Sequence, residues 1–318
     1  MSAVTSGGSG ASPPGLGAAP RRRAPWLRAP AADAAGRRAI RRWPWQLVAG
    51  VAVLVVLAGL AIAAPLFGSP THQDLIHGLG PTGLPVGPGP GYPLGADLLG
   101  RNELVRLVYG IRVSLIVAIV SNATSIVIGA AVGLFAGYFR GPVEQILMRF
   151  TDIGLALPYT LAGLVIAAVM SAGMTRVIVI ITVLFWSYPA RLVYGEVLRL
   201  RTRGFVEAGE AMGARGMAIV RRHLAPHVTS MMIAYSPLNA AAAVAFEATL
   251  SYLSAGINPP TASLGNMISD GQAAISYRPL LVVAPGLAIM VLTLAFLLVG
   301  EGIKAYNPDL RRLSWLGG

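Results

Sequence analysis

Six stretches of this chain are long and apolar enough to cross a bilayer as helices, and that feature constrains the fold more than any other. A hydrocarbon core about 30 Å thick needs roughly 20 apolar residues at the rise of an α-helix. The stretches run from about Leu47 to Phe67, Val113 to Phe139, Ile146 to Met170, Val177 to Tyr194, Val228 to Leu253 and Leu280 to Gly300. The third is the most polar, with Arg149 and Asp152 near its start. In lipid every backbone N–H and C=O has to be satisfied inside the protein, so the expected fold class is all-α and polytopic, with six transmembrane helices. Only 12% of the 318 residues are charged, against about 25% in soluble domains.

The charges that remain orient the chain. Of 25 basic residues, 24 are Arg, and most flank the apolar stretches. With the N-terminal end inside, 20 of them fall on inner segments, leaving Arg101, Arg106, Arg112, Arg176 and Arg278 outside. That bias predicts both termini in the cytoplasm. The net charge of +12 is therefore a topology signal. No soluble basic domain is left to bind nucleic acid.

Residues 1–45 are expected to form a disordered basic cytoplasmic tail. They are rich in Ala, Gly, Pro, Ser and Arg, with too few apolar residues for a core. Arg41-Arg42 before an apolar run, with Ala61-Ile62-Ala63 following, resembles an export signal. Five further spans favour an uncleaved anchor instead. Residues 46–318 form the six-span domain. Two long outer loops interrupt it, from about Gly68 to Arg112 and from about Ser254 to Pro279. The Asp97–Arg112 part of the first mixes apolar and charged residues, as a short surface helix would.

The loop between the fourth and fifth spans is the most informative segment. About thirty residues stay inside, with small residues alternating with charges around Glu207, Ala208, Gly209, Ala211 and Gly213. A first helix is expected to end at Gly213, where a left-handed cap costs glycine little. A second should run from about Ala214 to Leu224 and stop near Pro226. Such a helix pair, with an Ala/Gly surface, would let another protein approach closely. An ordinary connecting loop reads equally well from spacing alone.

This loop is similar to the cytoplasmic EAA motif of bacterial ATP-binding-cassette importer permeases. Glu207, Ala208, Gly213 and Pro226 fall on that pattern, while Gly209 and Ala225 depart from it conservatively. The likeness extends over about Tyr92 to Arg312. Pro93-Leu94-Gly95-Ala96-Asp97, Gly100-Arg101-Asn102, Ala136-Gly137-Tyr138-Phe139, Met148-Arg149-Phe150-Thr151-Asp152 and Asn307-Pro308-Asp309 resemble segments of the dipeptide/oligopeptide/nickel branch, in order. The likeness is to the second permease of the pair, and it implies a type I ABC importer permease fold. It implies as partners a homologous permease, two ATPase subunits holding the loop, and an extracytoplasmic peptide-binding protein; the basic tail adds membrane lipids. Nickel or metal-chelate import is an alternative, because that branch shares the motifs.

The chain's own chemistry is sparse. With no cysteine, it has no disulfide and no thiolate ligand. A phosphate-binding loop needs Gly-Lys-Ser/Thr, and the single lysine, Lys304, follows Ile303. No enzyme activity, cofactor or metal site is expected, and His72 with His77 alone would make a poor metal site. Asn122, Tyr159, Trp186, Asn239 and Glu247 are candidates for the translocation pathway, since polar groups inside a membrane are costly unless used. The same residues would serve helix–helix hydrogen bonds. Asp152 is expected to pair with Arg149 on one helix face. Glu247 has no local partner, which leaves open an aqueous cavity or a bond to a neighbouring helix. A non-transport structural or signalling subunit is the rival from another class.

Overall fold

The computed structural model describes residues 44–306 except 82, 205, 207–211, 214 and 215. The tail lies outside them but for its last two positions, as do Glu207, Ala208, Gly209 and Ala211. The helices are α1 (Trp45–Ala63), α2 (Glu103–Phe139), α3 (Pro142–Ala156), α4 (Tyr159–Val169), α5 (Met174–Phe185), α6 (Ser187–Arg201), α7 (Ala225–Tyr252), α8 (Leu264–Gly271) and α9 (Leu280–Tyr306). Among the described residues β structure is limited to isolated bridges such as Leu79–Pro85.

Among the described residues five helical rods are long and apolar enough to span a bilayer: Trp45–Phe67, Glu103–Phe139, Met174–Arg201, Met217–Tyr252 and Leu280–Tyr306. The third expected span is not one rod. It is α3 and α4, bent by 96°. The cause lies at Leu157-Pro158, where Leu157 adopts an extended ψ of 132°. Proline lacks the N–H that a continuous helix needs and disfavours helical geometry in the residue before it.

The expected surface helix over Asp97–Arg112 is likewise corrected. From Glu103 onward that segment is the start of α2, a single 37-residue helix. Asn102 caps it, its side chain accepting from the N–H groups of Leu104 and Val105. At 1.5 Å per residue α2 is about 55 Å long, well beyond a core of about 30 Å. The helix is therefore longer than the hydrocarbon it would cross.

Small residues hold the rods together, as expected where lipid supplies no hydrophobic drive between helices. Gly129, Gly133 and Gly137 form one stripe of α2 against α6. A Cβ on Gly129 would fall 2.5 Å from the Trp186 carbonyl oxygen, and one on Gly133 would fall 2.5 Å from that of Ala190. The two helices run in the same direction, since Gly137 meets Val197. α1 packs antiparallel on α9 in the same way, Gly50 against Ala295 and Val299, Gly302 against Leu47.

Candidate functional site

Near the middle of the bundle α2 and α7 share a hydrogen-bonded amide cluster. The Asn239 Nδ2 donates to Asn122 Oδ1 at 3.0 Å and to Ser125 Oγ at 3.1 Å. Asn122 Nδ2 donates to Ser236 Oγ at 2.7 Å, and the Tyr235 hydroxyl donates to Asn239 Oδ1 at 3.3 Å. The Tyr235 ring stacks on Tyr188 of α6 at 5.5 Å. Asn122 and Ser236 also edge a cavity of about 610 Å³ between α1, α2, α7 and α9, otherwise mostly apolar. The cluster is uncharged and carries both donors and acceptors.

The other pathway candidates lie elsewhere. Tyr159 packs on Phe185, whose ring meets Phe246, in a separate apolar cluster. Trp186 sits at the α5–α6 junction, its carbonyl against Gly129. Glu247 is fully buried and accepts from Ser114 Oγ of α2 at 2.8 Å and Ser251 Oγ at 2.9 Å. It bonds a neighbouring helix. Asp152 pairs with Arg191 of α6 at 2.7 Å and not with Arg149, because α3 lays this face on α6.

At one end of the bundle the segment after α6 folds against α2 and α6. Arg201 donates to the carbonyls of Gly137 and Tyr138 and lies over the Tyr138 ring. Val206, Ile219, Val220 and Leu224 are buried in one cluster with Val193, Val197 and Val228. Gly213 has φ +85°, with open space around the position of a Cβ. The second loop helix does not stop near Pro226. A helical turn, Met217–Ile219, passes through a π turn, Val220–Leu224, into α7. The Ala225 N–H bonds back to the Val220 carbonyl. Pro226 is the second residue of α7, directly after the π turn, where the regular hydrogen-bond ladder is already interrupted.

At the opposite end lies a charged cluster. Asp97, Arg101, Glu103 and Arg106 are buried around the start of α2. The Asp97 carboxylate accepts from Arg101 Nε at 2.6 Å and from Arg106, and its other oxygen accepts from the Leu99 and Arg101 N–H groups. Asp270, from α8, lies 3.4 Å from Arg106 and 3.9 Å from Arg101. Sequence reasoning did not single out Asp270. Its only local signal is the Ser263 cap that starts α8.

Residues 129–307 match the family described as binding-protein-dependent transport system inner membrane component. The chain is 33% identical over 226 residues to a glutathione transport system permease protein of Pectobacterium atrosepticum, covering 71% of this chain and 75% of that one. It is 34% identical over 267 residues to a dipeptide transport system permease protein of Bacillus subtilis, covering 83% and 82%. Among solved structures it resembles the MetNI methionine ABC transporter in an inward-facing conformation, with a TM-score of 0.54 and 22% identity over 64% of this chain and 96% of that chain. That last likeness speaks for the fold. The chain belongs to the binding-protein-dependent inner membrane component family, and is a multi-pass permease subunit of an ABC importer, working with a second permease and with separate subunits that hydrolyse ATP.

Proposed function

We propose that this permease imports short peptides. The observation that carries the reading is the likeness, over 83% of the chain, to a permease of dipeptide transport; the glutathione relative also serves a peptide, since glutathione is a tripeptide. The buried amide cluster of Asn122 and Asn239 is in keeping with the reading, because it puts polarity without charge beside the cavity that Asn122 and Ser236 edge. Tyr159, Trp186 and Glu247 join it as candidates for the pathway, completed by the partner permease. An extracytoplasmic binding protein delivers the peptide at the Asp97 end. The Gly213 end faces the cytoplasm with both termini, and Glu207, Ala208, Gly209, Ala211, Gly213 and Pro226 form the surface that the ATPase holds. The basic tail, over 1–45, lies on anionic lipid, each Arg contributing about 1 kcal/mol near the surface.

Loss of this chain from its host should abolish uptake of a radiolabelled dipeptide, and a plasmid copy should restore it. Normal dipeptide uptake alongside lost Ni²⁺ uptake would replace the peptide reading with the metal one.

A further inference from the structure

α5 and α6 form one rod, because Trp186 between them keeps helical angles. Arg176 stands near one end of it and Arg199 near the other. At 1.5 Å per residue the two are about 35 Å apart, enough to cross a hydrocarbon core of about 30 Å. Tyr188 lies midway between them, and Arg191 and Gly195 follow within the same stretch.

The exposed positions of α6 are Tyr188, Arg191, Gly195 and Arg199. Their spacing of three or four residues puts them on one face of the helix, and that face carries no aliphatic side chain. The opposite face is taken up by packing. Pro189, Ala190, Val193 and Val197 meet the glycine stripe of α2. The rod cannot turn its polar face inward without breaking that contact.

Other helices expose a different surface. α4 presents Leu161, Val165 and Val169, and α1 presents Val51, Val55 and Ile62. Those suit hydrocarbon. A guanidinium does not, because a charge in the bilayer core is costly unless it faces a partner or a water-filled cavity. Arg191 has a partner in Asp152 at 2.7 Å, yet both side chains remain nearly half exposed, at 48% and 42%. An ion pair open on that side needs water beside it. Tyr188 makes a similar demand at the middle of the rod. Its ring stacks on Tyr235, whose hydroxyl reaches Asn239, and 53% of the residue stays exposed.

We propose that this face of α6 lines the aqueous pathway of the importer, from Tyr188 at the middle of the bilayer to Arg199 at the Gly213 end. The partner permease supplies the facing wall. Tyr188 and the Arg191–Asp152 pair, rather than the buried amides behind them, are then the groups a passing solute meets. The inference rests on the permease reading and holds for whatever solute is carried.

The chain has no cysteine, so Tyr188→Cys, Gly195→Cys and, on α4, Val165→Cys each place a single thiol in it. The complete importer, its partner subunits freed of reactive cysteine, is held in lipid nanodiscs and treated with a charged methanethiosulfonate. The thiol reacts as thiolate, which water favours and hydrocarbon suppresses, so both α6 sites should label at least about tenfold faster than Val165→Cys. Labelling of Gly195→Cys should then abolish ATP-driven uptake of labelled dipeptide after transfer to vesicles, relative to the same complex left unlabelled. Rates at the α6 sites no faster than at Val165→Cys would overturn the proposal, because lipid or a partner helix then covers this face. Undiminished uptake by fully labelled Gly195→Cys would overturn it too, since the face is then wet but not traversed. A wild-type complex that takes up no dipeptide counts against the peptide reading instead, and the labelling rates still decide this proposal.

Discussion

Glu247 shows how one buried carboxylate joins two helices. It lies wholly inside the protein and accepts from a serine on α2 and another on its own helix, while Ser251 in turn accepts from the Ile257 N–H. Glu247→Gln keeps an acceptor for these donors. Glu247→Ala strands them, at a cost of about 1–3 kcal/mol for an unsatisfied buried group. Thermal unfolding of the purified chain in detergent, followed by tryptophan fluorescence, should place the Ala variant clearly below the Gln variant. Equal midpoints would mean that the carboxylate bears no structural role.

Asp74 does a similar task away from the bilayer, in the connection between α1 and α2. It accepts from the N–H groups of Ile76 and His77, from the His77 ring and from the Tyr92 hydroxyl. The His77 backbone N–H is the main reason its carboxyl sits below the usual aspartate range; the His77 and Tyr92 side chains add to this and burial works against it. A depressed value stabilises the folded form above the unfolded pKa of about 4, and that contribution fades as pH falls through the lower folded value. Cleavage of the 68–102 connection by an acid-stable protease should accelerate below about pH 4 in the wild type. In Asp74→Asn it should be fast already at neutral pH. An identical pH profile in both would contradict this role.

At the scale of elements the glycine stripe of α2 sets the approach of α6. Gly133→Val would drive a side chain into the Ala190 carbonyl and the Val193 Cβ, 2.5 and 2.7 Å from the new Cβ. Overpacking of this kind costs about 1–3 kcal/mol, and the variant should lose yield in detergent while Gly195→Ala, with nothing within 4 Å, does not. Comparable yields would show that α2 and α6 have slack the packing does not reveal. That stripe was legible in the sequence, as were α1 and α9, because unbroken apolar runs and four-residue glycine spacing are local signals. The break at Leu157-Pro158 was written there too, but the apolar count across it outweighed the proline. α8 was missed because its eight residues, Leu264–Gly271, include Asn266, Ser269 and Asp270 and carry no long apolar period. The partners of Asp152 and Asp270 were not legible at all. Arg191 and Arg106 lie on other helices, and the latter is 164 residues from Asp270. Asn122 and Asn239 were singled out as polar residues in lipid, yet only the register of α2 against α7 makes them neighbours.

For the whole molecule, the two ends of the bundle divide the work. One gathers charges around Asp97 and the other buries the segment that leads from α6 to α7. If the arginine bias orients the chain, reporter fusions after Gly318 and within Gly80–Gly91 should give opposite signals, the first cytoplasmic. Matching signals would end the six-span topology. The central claim is that the loop around Gly213 transmits ATP hydrolysis to a peptide permease. Gly213→Val imposes a left-handed conformation on a branched side chain, costing about 1–2 kcal/mol, in a place otherwise open. Gly204→Val is the control, since it too has open space and no positive φ. Both are compared for ATP-driven uptake of labelled dipeptide into vesicles, together with recovery of the ATPase on the tagged permease. The account predicts that Gly213→Val inserts in the membrane but loses the ATPase or the uptake, while Gly204→Val retains both. Normal assembly and uptake in Gly213→Val would contradict it.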